Sequence, residues 1–103
     1  MTGLDDFDKT VGKIAGAIYG DINKKFSHPP LMLVPAITFK IRKIMEQITN
    51  LRLLSADQKA VLAKDIEISI VPMLFSYEIE AELIEQLRPI IESAAYKVLL
   101  EDK

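Results

Sequence analysis

Ten consecutive residues, Ile66 to Phe75, contain a single charged side chain, Glu67. Along a helix their apolar side chains point in every direction, and a helix apolar on all sides has to be covered on all sides. In a small helical bundle each helix normally keeps one wet face. Two arrangements satisfy the segment. Either a second molecule covers it, with Ile68, Val71 and Phe75 facing the partner, or the first helix or a proline-rich connector lies across it. We read it as a subunit interface. The stretch Ile66-Glu67-Ile68-Ser69-Ile70-Val71 also alternates like a strand, but no second strand exists in the sequence to pair with it, so a helix is expected.

The rest of the chain reads as helices around that segment. With 103 residues, there is room for one domain, residues 1–103, and one hydrophobic core. Phe7, Val11, Ile14, Ile18 and Ile22 recur at helical spacing, which predicts a first helix over about 4–25. It should stop before Ser27-His28-Pro29-Pro30, because residues preceding proline avoid helical angles. Residues 29–35 are expected as an extended connector, with Pro35 in the first turn of a second helix. That helix carries Ile37, Ile41, Ile44, Ile48 and Leu51 in steps of four and three, a heptad-like seam. Ser55-Ala56-Asp57-Gln58 fits a capping box, so a third helix should start there and run to about Phe75, kinked or ended by Pro72. Ser76 is expected to cap a fourth helix over about 77–100, with Ile79, Leu83, Leu87, Ile90, Ala94 and Val98 inside and a bend at Pro89. Short connections near Ser55 and Ser76 favour neighbours of opposite direction. The expected fold is all-α, an antiparallel four-helix bundle with proline-kinked third and fourth helices.

Half of the residues are apolar and none is cysteine. Disulfides and thiolate metal sites are thereby excluded. Asp5 and Asp6 stand where a secretory signal would carry basic residues. No run of about 18 uncharged apolar residues suggests a membrane span, and the cytoplasm is the expected compartment. The single histidine, His28, lies in the connector without a second histidine, and no glycine-rich phosphate loop or Glu-x-x-His pair occurs. The parts for a histidine metal centre, a catalytic triad or a bound cofactor are therefore missing, and no enzyme activity is expected.

What remains points to binding. Residues 1–55 carry a net charge of +3 and residues 56–103 one of −5, so the two halves attract one another within a chain or between chains. Glu78, Glu82, Glu85 and Glu92, with Tyr96, project from one side of the fourth helix. The like-charged pair Glu78/Glu82 would be relieved by a basic partner protein. Gly12, Gly16 and Gly20 repeat every fourth residue on the first helix, opposite its apolar stripe. Together they cost ~3 kcal/mol relative to alanine, which either a closely packed second helix offsets or the helix simply tolerates on an exposed side. Lys40, Arg42 and Lys43 lie outside the seam of the second helix with Phe39. With Lys24 and Lys25 they form a possible nucleic-acid contact, although Glu46 interrupts the patch.

The segment Ile18-Tyr19-Gly20-Asp21-Ile22, in a chain of this length with four helices, resembles the enterocin-type bacteriocin immunity proteins. That resemblance implies a cytoplasmic antiparallel bundle that protects its producer. The leading expectation is a non-catalytic helical-bundle protein-binding module, a regulator, adaptor or inhibitor that also binds itself. Immunity and nucleic-acid binding are the alternatives.

Overall fold

The computed structural model describes residues 3–25, 31–48 and 53–101, with the side chains of residues 3–6 left aside. They form four helices, α1 (Gly3–Lys25), α2 (Leu33–Met45), α3 (Ala56–Ser76) and α4 (Ala81–Glu101), and no strand among the described residues. The protein is all-α. Each helix packs on its neighbour in sequence and α1 closes the ring on α4, while among the described residues the Cα atoms of the diagonal pairs α1/α3 and α2/α4 stay more than 8 Å apart.

One apolar stripe from each helix fills the centre. On α1 it is Val11, Ile14, Ile18 and Ile22, all fully buried, with Phe7 packed at the edge. These are the positions the periodicity selects, because three- and four-residue steps keep side chains on one face. On α2 the stripe is Leu33, Ile37, Ile41 and Met45. The seam therefore advances in fours, and Ile44 and Ile48 lie only at its margin. Leu51 falls outside the described residues. A short helix with little supercoil has no reason to keep a heptad register.

The start of α2 also differs from expectation. Leu33 to Pro35 are helical, and only residues 31–32 form a turn before them. Pro35 is the third helical residue, where its missing amide costs no intrahelical bond. Burial of Leu33 one turn before Ile37 rewards the earlier start. At the other end α2 stops at Met45 rather than near residue 51, and Ile48 N–H closes a turn onto the Met45 carbonyl at 3.0 Å.

The capping box at α3 is complete. The Gln58 amide donates to Ser55 Oγ at 3.1 Å, and the Ser55 amide donates to Gln58 Oε1 at 2.8 Å. Pro72 does not end α3, which continues to Ser76. The proline is exposed, so the carbonyl its amide would have served can turn to water. Ser76 does not cap α4. It is the last residue of α3, and its hydroxyl donates back to the Pro72 carbonyl at 3.4 Å. A four-residue reversal follows, in which Glu78 takes a left-handed backbone angle, φ 61°. Only then does α4 begin, with the Ile84 amide donating to the Glu80 carbonyl at 3.0 Å. Of the expected stripe Ile79, Leu87, Ala94 and Val98 are buried, joined by Ile84, Ile91, Ala95 and Leu99, while Leu83 and Ile90 lie beside them.

Candidate functional site: the outer face of α3

Turning α3 about its axis separates two apolar rows. Leu62, Ile66, Ile70 and Leu74 are buried against the other helices. On the opposite side Val61 is 63% exposed, Ile68 52% and Phe75 51%. Seven residues are 20° short of two full turns, so side chains at 61, 68 and 75 form one nearly straight row. Of the residues expected at an interface, Ile68 and Phe75 stand in this row, and Val71 lies at its edge, partly buried against the core. The first helix does not lie across this row, since no Cα of α1 comes within 8 Å of one in α3 and both Ile68 and Phe75 stay half exposed. The connector residues 26–30 lie outside the described ones. Val61 belongs to the row but escapes a reading that begins at residue 66; its spacing of seven from Ile68 is the signal.

One border of this row is ionic. Glu67 is fully buried between α3 and α4. Arg88 Nε donates to its Oε2 at 3.0 Å, and Arg88 Nη1 reaches Glu85 at 3.3 Å. Lys64 Nζ lies 2.9 Å from Oε1 and 3.6 Å from Glu92. The approach of Lys64 is poorly aligned, so Oε1 is left without a directed hydrogen bond and is held by charge. The close contact with Glu67, reinforced by the charges of Glu67 and Glu92, holds Lys64 above the ordinary lysine value. Hydrogen bonds to Glu67 and Glu85, then their charges, raise Arg88 as well. Both cations remain about half in water, which screens the pairs. The sequence shows Glu67 as a lone charge in an apolar run but gives no means of finding Arg88, twenty-one residues away.

The remaining expected residues are dispersed. Glu85 and Glu92 are engaged with Arg88 and Lys64 at this border, and Tyr96 is half-buried against the core. Glu78 and Glu82 instead line, with Ile79, Glu80, Leu83 and Gln86, an open depression of about 400 Å³ at the α3–α4 reversal. Gly12, Gly16 and Gly20 are exposed, and a Cβ placed on each would meet nothing within 4 Å. No described helix uses them for close approach. The basic set on α2 divides. Arg42 Nη1 is 2.6 Å from Asp8 and its guanidinium lies 5.7 Å from the Phe7 ring, tying α2 to α1. Lys40 and Lys43 are exposed, with Lys43 Nζ 5.5 Å from the centre of the exposed Phe39 ring.

Among the described residues no group of three His, Cys, Asp or Glu side chains is arranged to hold a metal ion, and no helix is long and apolar enough to cross a membrane. Comparison with protein-family models, with curated proteins and with solved structures returns no match.

Proposed function

We propose that this chain is a non-catalytic protein-binding module of the cytoplasm, and that it binds a second copy of itself through the outer face of α3. The observation that carries this reading is the row Val61, Ile68 and Phe75. Three large apolar side chains at seven-residue spacing contribute little to the monomer while half in water, yet they have the spacing of a helix-to-helix seam. A complete association surface pairs such a row with a polar rim, and the Glu92, Lys64, Arg88 and Glu85 border supplies one.

The same reading takes the bundle as antiparallel with bends at Pro72 and Pro89. The ion pairs support opposite directions for α3 and α4, since Lys64 meets Glu92 while Glu67, further along α3, meets Arg88, earlier on α4. A basic segment of another protein is the partner we assign to the depression lined by Glu78 and Glu82, because closely spaced carboxylates gain from a cation between them. Bacteriocin immunity is one service such a module can perform. In the segment that suggested it, Ile18 and Ile22 are core residues, so its fit speaks for the fold more than for a contact.

Light scattering on the eluting protein tests the reading. The wild-type chain is expected at twice its 11.6 kDa, and Ile68→Glu at the monomer mass with helical circular dichroism unchanged, because this side chain is already half in water. A wild-type chain that stays monomeric up to the highest concentration reached would overturn it.

A further inference from the structure

A second exposed apolar row lies on α2, and it is surrounded by cations. Leu31 and Met32, in the turn before the helix, are 83% and 64% exposed, and Phe39 is 57% exposed. Pro35 and Phe39 follow Met32 by three and seven residues, which places all three on the side of α2 away from Ile37 and Ile41. Around them stand Lys40 and Lys43, with Lys43 beside the Phe39 ring. Lys24 and Lys25 are exposed at the end of α1, and only residues 26–30 join that end to the α2 turn. α2 itself contains no acidic residue. Of the nearby carboxylates, Asp21 is 3.5 Å from Lys24 and Asp8 is occupied by Arg42, while Glu46, the exposed C-cap of α2 three residues past Lys43, sets one negative charge against the cations. The carboxylate-lined depression belongs to the reversal into α4, the helix across the ring from α2, whose Cα atoms all lie more than 8 Å from those of α2.

We propose that this corner binds the surface of a membrane rich in anionic lipids, with Leu31, Met32 and Phe39 entering the interfacial layer and Lys24, Lys25, Lys40 and Lys43 meeting the phosphates. Apolar side chains flanked by lysines are the composition that holds a helix in the plane of such a surface. Phosphate groups could also come from nucleic acid. That source would use the lysines and the Phe39 ring, but it gives Leu31 and Met32 nothing to enter. The +3 half of the sequence against the −5 half turns this corner toward a negative surface at long range. Attachment is to the surface alone, because no described helix is long and apolar enough to cross.

Co-sedimentation of the full chain with vesicles decides the matter. Binding is expected to phosphatidylcholine mixed with phosphatidylglycerol and not to phosphatidylcholine alone, and it should weaken as salt is added. The double variant Lys40→Gln/Lys43→Gln should lower partitioning by roughly twenty-five-fold, about fivefold for each cation removed. Met32→Asp/Phe39→Asp should lower it by about tenfold or more, with circular dichroism unchanged because both side chains are exposed. Ile68→Glu, which tests self-association, should leave vesicle binding intact, so the two surfaces succeed or fail separately. Absence of binding to the anionic vesicles, or equal binding to both kinds, would overturn the proposal. So would RNA or duplex DNA binding that the lysine variants abolish and the Met32 and Phe39 variants do not.

Discussion

The buried carboxylate of Glu67 offers a sharp test of the forces between α3 and α4. Replacing it with glutamine keeps its size and leaves one oxygen to accept from Arg88. The other oxygen becomes an NH2 group facing the Lys64 ammonium, two donors where a cation now meets an anion at 2.9 Å. A buried NH2 group cannot hydrogen-bond to the ammonium it faces, and a buried donor left unsatisfied costs about 1–3 kcal/mol. Replacing Glu67 with methionine removes the polar group altogether. Lys64 and Arg88 are partly exposed and have Glu92 and Glu85 beside them, so neither is stranded. An apolar side chain in place of a buried ion is commonly neutral or stabilising. The expected order of stability is Glu67→Met equal to or up to about 2 kcal/mol above wild type, with Glu67→Gln below it. For a domain of this size 1 kcal/mol moves the melting temperature by about 4–8 °C, well within calorimetric reach at matched concentration. Alkaline pH should separate wild type from Glu67→Met further. Lys64 is raised in the folded state by Glu67, so its contribution is complete below the ordinary lysine value and is lost as pH climbs through the folded one. Wild type should show the larger loss, because Glu67→Met keeps only the weaker pull of Glu92 on Lys64. Should glutamine match glutamate, the charge of Glu67 is idle. Should methionine lose 2 kcal/mol or more, the ion pairs outweigh the desolvation they require, contrary to the argument.

Two further substitutions probe backbone and surface. Gly16→Ala adds a methyl group into open space and should stabilise the protein by about 1 kcal/mol, read as a higher melting temperature; loss of self-association with that gain would instead mark the glycine face as a contact between copies. Glu78→Gly should gain about 0.5–1 kcal/mol by relieving a left-handed angle, measured by urea denaturation, while Glu78→Ala should not; equal gains from both would assign the effect to charge.

The helices were legible where local chemistry decides them. The α1 stripe at Val11, Ile14, Ile18 and Ile22 and the Ser55/Gln58 box depend on spacings of three and four residues, which the sequence displays directly. The α3–α4 boundary was not legible, because a serine between two helices can serve either. Ser76 bonds backwards to Pro72, and the reversal that follows is fixed by Ile79 entering the core. Ile44 and Met45 compete for one buried position, and only the pitch of the assembled helix chooses between them. At the candidate site, Ile68 and Phe75 were visible as surplus apolar residues. Lys40, Arg42 and Lys43 looked equivalent until Asp8, thirty-four residues away from Arg42, removed one of them from the set. Contacts between distant residues separate side chains that composition groups together.

The ring of four helices is not closed evenly. α4 shares broad contacts with both α1 and α3, whereas the seam between α2 and α3 is thin. Swinging α2 outward would break that seam and strain the α1 side, held by Arg42 and Asp8, while the α1–α4–α3 sheet of helices stayed together. Local opening follows the weakest contacts, so the fold carries Lys40, Lys43 and Phe39 on the element it can most readily release.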